Sequence, residues 1–167
     1  MLSTTYSMLV TLASSLLLAT ASANPILTKR SIYQDEINTI LQEHNRYRAR
    51  HGSPPLVWDT DVASSAEQWA STCSGMDHPH SGGPNGENVG FGYPDWQSVI
   101  AAWYNEVSKY NYNDPESSTG TGHFTAVVWK STTKIGCGYS KCNDEYGNRM
   151  VCQVGMRNLY LRTMLGL

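Results

Sequence analysis

The amino-acid sequence predicts an α+β domain stapled by disulfides, on three observations. Apolar residues recur at helical spacing through the first two thirds of the chain. Short runs rich in β-formers fill the last third, and four cysteines lie downstream of an export signal. Helices first and strands last is the order of a layered α+β fold rather than of alternating βαβ units.

The apolar run from Met8 to Ala19 is too short to cross a bilayer and reads as the core of a signal peptide. Ala21-Ser22-Ala23 matches a small-residue cleavage site, so residues 1–23 are expected to be removed before Asn24. Lys29-Arg30 is a dibasic pair of the kind secretory-pathway proteases recognise, which makes 24–30 a propeptide and 31–167 a single domain; two solvated surface charges are the alternative reading of the pair.

The first helix spans residues 34–51, with Ile37, Ile40, Leu41 and Tyr47 facing inward and Asp35, Glu36, Gln42, Glu43, Arg46, Arg48 and Arg50 forming the wet face. Gly52 and Pro54-Pro55 stop it. Asp59 or Thr60 caps a second helix that buries Val62, Ala63, Ala66, Trp69, Ala70 and Cys73. Six glycines and three prolines between Ser74 and Pro94 predict a long loop. Asp95 caps a third helix marked by Trp96, Val99, Ile100, Trp103 and Val107. Residues 111–122 form a polar loop, and residues 124–129, 134–139 and 149–154 read as β-rich runs, with Tyr146-Gly147-Asn148 as a turn.

The net charge of -2 and the lack of any Lys/Arg run leave no electrostatic footprint for nucleic acid. Four cysteines in an exported chain imply two bridges, for which the sequence alone allows three pairings; the isolated four-residue gap between Cys137 and Cys142 does not resemble a cysteine zinc site. No Asn-x-Ser/Thr acceptor, Gly-x-Ser-x-Gly elbow or His-Glu-x-x-His helix occurs. For nucleophilic catalysis the sequence therefore offers little, and an enzyme is not the leading reading.

Four signatures occur in order: His44-Asn45-x-x-Arg48-x-x-His51, His80-Ser81 with Gly86-Glu87-Asn88, Trp103-Tyr104-Asn105-Glu106, and Gly122-His123-Phe124-Thr125 running on to Trp129. From about Ile37 to Gln153 the chain resembles the CAP superfamily of cysteine-rich secretory, antigen 5 and pathogenesis-related group one proteins, and fungal secreted members most of all. The resemblance implies a three-layer α-β-α sandwich and the pairings Cys73–Cys142 and Cys137–Cys152. It also implies a cleft in which His80, Glu87, Glu106 and His123 converge, a tetrad that in some members holds a divalent metal, zinc or magnesium. The bland alternative is an ion-paired cluster that closes the cleft. His78 reads as loop surface, and His44 and His51 as structural helix residues.

Fungal and plant relatives bind sterols or fatty acids, so the resemblance implies a secreted lipid-binding protein that aids lipid export or sequestration. The loop concerned reads aromatic-x-aromatic-x-x-x-x-aromatic; here Tyr110 and Tyr112 fill the first two places and Ser117 the third. The rival readings are an extracellular effector acting at a membrane surface or on a host protein, and a metal-dependent hydrolase using the tetrad. The family pattern is lost after Gln153, and the tail 154–167 departs from it in the way a frameshift or retained intron would.

Overall fold

The computed structural model describes residues 25–156; the expected leader (1–23) and residues 157–167 of the tail lie outside them. The helices are α1 (Pro25–Arg50), α2 (Thr60–Ser71), α3 (Trp96–Asn105) and α4 (Gly122–Val128), and the strands β1 (Val57–Trp58), β2 (Gly86–Phe91), β3 (Thr132–Lys141) and β4 (Asn148–Met156). The strands form one sheet in the order β1-β3-β4-β2, with β1 parallel to β3 and the other pairs antiparallel.

Strand alternation sorts the core into two layers. Ile135, Cys137, Met150, Cys152 and Val154 point to the side where α1, α3 and α4 bring Ile40, Tyr47, Val99, Ile100, Trp103 and Val127. Val89 and Val151 point the other way, onto Ala66 and Ala70 of α2. The result is the α-β-α sandwich. Helix α2 lies unusually close to the sheet: a Cβ on Gly136 would sit 2.0 Å from the Ala63 nitrogen, and one on Gly138 2.3 Å from that of Glu67.

Asp59 caps α2 by accepting from the amides of Asp61 and Val62, and Asp95 caps α3 by accepting from Ser98 N at 2.7 Å. Gly52, at φ 62°, ends α1 as predicted. Both bridges form with the pairing the resemblance implied, Cys73–Cys142 and Cys137–Cys152.

Five expectations are corrected. The first helix begins at Pro25, well before residue 34. The long loop 74–94 contains β2, whose glycines serve close packing rather than turns: a Cβ on Gly90 would meet Val99 Cγ2 at 2.2 Å. Of residues 124–129, read as a β-rich run, 124–128 lie in α4 and Trp129 caps it in extended conformation; their apolar pattern is short enough to suit either state and only tertiary partners decide. Helix α3 stops at Asn105, and Val107 belongs to a tight helical turn, Glu106–Lys109. Arg48 is not on the wet face: it is wholly buried.

His44 is the other polar residue inside α1's packing face. Its Nδ1–H donates to the Ile40 carbonyl at 2.9 Å, and burial holds its pKa down to about 4. A folded-state pKa below the ordinary 6.5 means the unfolded chain takes up the proton first. This part of the stability is complete above pH 6.5 and is lost as pH falls from there towards 4, up to about 3 kcal/mol. Urea unfolding at neutral and mildly acid pH should show that slope, and His44→Gln should flatten it.

Candidate functional site

Loop 74–85, β2, the turn after α3 and the start of α4 surround one groove of about 610 Å³, lined by His80, Trp103, Glu106, His123, Phe91 and Tyr146 among others. Three of the four tetrad residues line it; Glu87 lies behind His80 with a side chain only 6% exposed. The tetrad is organised as two separate pairs. His80 Nδ1–H donates to Glu87 Oε1 at 3.1 Å, and His123 Nδ1–H donates to Glu106 Oε1 at 2.7 Å. Since an ionised carboxylate only accepts, both imidazoles carry their proton on Nδ1.

The carboxylates are committed elsewhere as well. Glu87 also accepts from Ser81 N (2.9 Å), Ser81 Oγ (2.7 Å) and Gln153 Nε2 (2.7 Å), which ties the His80 loop to β4. Glu106 accepts from His123 N at 2.9 Å and Phe124 N at 3.1 Å. These are first-turn amides of α4, whose N-cap residue Thr121 offers no side-chain cap. Glu106 therefore caps α4 from outside it, a role its sequence neighbours do not reveal. Glu106→Ala should cost about 1 to 2 kcal/mol in thermal or urea unfolding, with Glu106→Gln recovering part of the loss because an amide oxygen still accepts. Full stability in the alanine variant would show that the cap is idle.

Among the described residues no three His, Cys, Asp or Glu side chains gather closely enough to share an ion. The donors left free at the groove are the Nε2 atoms of His80 and His123, each imidazole oriented by a carboxylate behind it, an arrangement typical of zinc ligands. Imidazole nitrogens are a donor type that zinc takes. Magnesium, which demands oxygen ligands, is not suited, because the carboxylate oxygens already accept from the protein.

A second concavity, of about 570 Å³, lies on the other side of α4. His51 and Ser53 from beyond α1, Tyr110 and Tyr112, Phe124 and Val128 of α4, and Trp129 to Ser131 line it. His123 and Phe124, adjacent in sequence, thus serve different sites. The ring of Tyr110 stands 4.9 Å from that of Tyr112 and 5.2 Å from that of Phe124. Ser117, in the third motif place, sits in a tight turn with its Oγ donating to the Asp114 carbonyl at 2.8 Å. Phe124, from another element, places a third ring beside Tyr110, a contact that a local motif could not show.

His51 is more than a helix-end residue. Its Nε2 lies 3.1 Å from the Tyr104 hydroxyl and its ring packs on Phe124, while burial and then the Arg50 charge hold its pKa below the ordinary value. Burial thus disfavours the charged form of the imidazole that borders the cavity. His78 packs edge-on against Trp69 and takes no part in the groove, as expected.

Residues 41–154 match the cysteine-rich secretory protein family, CAP. The chain belongs to this family. Among curated CAP proteins it is 43% identical over 121 residues to Protein PRY2 of Saccharomyces cerevisiae, covering 71% of this chain and 36% of that one. It is 47% identical over 120 residues to Secreted protein RBT4 of Candida albicans, covering 68% of this chain and 32% of that one. The chain thus spans about a third of the length of these fungal relatives. The solved structure of the Schistosoma mansoni venom allergen-like protein 4 superposes on this CAP domain with a TM-score of 0.58 at 26% identity, covering 72% of this chain and 88% of that one. A relative named as secreted and two disulfides both suit an extracellular location for this CAP domain.

Proposed function

We propose that this CAP domain is a secreted carrier that binds a sterol or fatty acid and aids its export or sequestration, with Tyr110 and Tyr112 at the binding site. The observation that carries the reading is the concavity beside them: about 570 Å³, within the size of small-molecule sites, walled by Phe124, Val128 and Trp129, with Ser53 and Lys130 as polar contacts. Tyrosines suit such a guest because the ring packs on hydrocarbon while the hydroxyl stays wet.

The test is equilibrium binding of labelled sterol and labelled fatty acid to the secreted protein. Tyr110→Ala/Tyr112→Ala should weaken binding about tenfold, through the loss of two packed rings. No saturable binding of either lipid by the unaltered protein would overturn the proposal.

The two-histidine groove supports a second element, zinc held by His80 and His123. Zinc bound there would supply a Lewis acid; Glu87 and Glu106 would keep both imidazoles in the ligating tautomer. A carrier tolerates His80→Ala/His123→Ala, whereas the rival hydrolase reading requires chelator-sensitive turnover that disappears with these histidines.

A further inference from the structure

We infer that the rim of the Tyr110/Tyr112 cavity is a bilayer-docking surface, with Trp129 and Tyr112 as its anchors. Five large apolar residues are exposed among the described ones, and the two that border this cavity are Tyr112, 63% exposed, and Trp129, 52% exposed. Val57, Met76 and Tyr139 do not line it.

Trp and Tyr are the side chains that favour a membrane-water interface, since each pairs an apolar ring with one polar tip. Both tips are free for that purpose: among the described residues neither the Tyr112 hydroxyl nor the Trp129 indole N–H makes a hydrogen bond. Trp129 also borders a neighbouring hollow that it shares with Tyr110 and Thr125, so it stands on a ridge between two concavities rather than folded into one. A protein-binding hot spot would instead sit at the centre of a flat patch ringed by polar contacts.

Charge favours a lipid surface over an apolar protein partner. Lys130 lines the cavity, Lys109 directly precedes Tyr110, and the Arg50 guanidinium lies 5.8 Å over the Tyr104 ring, which in turn packs on Phe124. Against these three cations the same loop carries Asp114 and Glu116. Lys130 is the charged side chain that borders the cavity beside the two aromatic anchors, and a cation there suits phosphate headgroups. The inference deepens the carrier reading and takes its purpose from it: a water-insoluble guest would pass between bilayer and cavity without crossing solvent. Its geometry stands without that reading.

The experiment mixes the full secreted protein with vesicles of phosphatidylcholine, with and without phosphatidylserine, free of sterol and fatty acid. Flotation measures binding, and quenching of tryptophan fluorescence by brominated phosphatidylcholine reports which indole enters the lipid. The unaltered protein should float with the vesicles and be quenched. Trp129→Phe should float but lose most of the quenching, because the other four tryptophans are buried or half-buried. Lys130→Ala and Lys109→Ala should each weaken binding roughly fivefold, on phosphatidylserine vesicles alone.

Absence of flotation on either vesicle overturns the proposal, as does quenching that survives Trp129→Phe, since docking would then use another face. Vesicle binding without sterol or fatty-acid binding in solution would sink the carrier reading and leave the docking surface standing. The reverse result would do the opposite.

Discussion

Arg48→Met should destabilise the fold by about 3 to 5 kcal/mol, the range for breaking a buried, hydrogen-bonded charge cluster. The guanidinium is wholly buried and donates to four backbone carbonyls: Pro54 at 2.8 Å, Val127 at 2.9 Å, Trp129 at 3.0 Å and Thr132 at 2.8 Å. No carboxylate balances it among these contacts, and burial lowers its pKa from the ordinary range. The fixed planar fork of donors is what matches four carbonyls from three chain segments. Met fills the volume but leaves those carbonyls without donors. Lys, with three donors on one nitrogen, should recover only part of the loss.

The readout is urea unfolding with linear extrapolation. A loss below about 1 kcal/mol for Arg48→Met would show that solvent replaces the guanidinium. The position also bears on the site. Arg48 fixes the segment from α4 into β3, which carries Trp129 and Lys130, so a folded Arg48 variant should bind lipid less well even where Tyr110 and Tyr112 are intact.

The second large effect concerns the two bridges, which should not be equivalent. Cys73–Cys142 spans 69 residues and Cys137–Cys152 spans 15. Restriction of the unfolded chain grows with the closed loop, so Cys73→Ala/Cys142→Ala should cost about 4 kcal/mol and Cys137→Ala/Cys152→Ala about 3 kcal/mol. Accessibility acts in the same order. Cys73 is half-buried at the end of α2, whereas Cys137 and Cys152 are 3% and 1% exposed in the core. Mild reductant should therefore open the longer bridge first, as read by mass spectrometry after thiol alkylation.

Loss of Cys73–Cys142 also loosens the corner where Arg149 donates to the carbonyls of Ser74 and Gly147 and pairs with Asp144. The loop that carries His80 leaves from this corner. Equal stability losses for the two double variants, or simultaneous reduction, would contradict the argument.

Much of the architecture is written in local pattern. The apolar stripe of α1, the Asp59 and Asp95 caps, the stop at Gly52 and the turn at Gly147 follow from residue chemistry within a few positions. The disulfide pairing and the tetrad came from resemblance, which carries long-range information that spacing does not. Where local pattern erred, the missing quantity was a partner distant in sequence. Glycines in β2 resemble a loop until Val99 is placed against Gly90. Residues 124–129 resemble a strand until Glu106 accepts from the amides of His123 and Phe124 at the start of α4.

The sequence by itself predicted a cysteine-bridged α+β chain of the CAP type, because helical periodicity and ordered motifs are properties of short windows. Only the tertiary structure decided that Arg48 faces inward, that the tetrad divides into two His-Glu pairs, and that Phe124 packs on Tyr110. Each of those facts depends on which side chain meets which across tens of residues. Burial and hydrogen-bond satisfaction are settled there, by the whole packed chain.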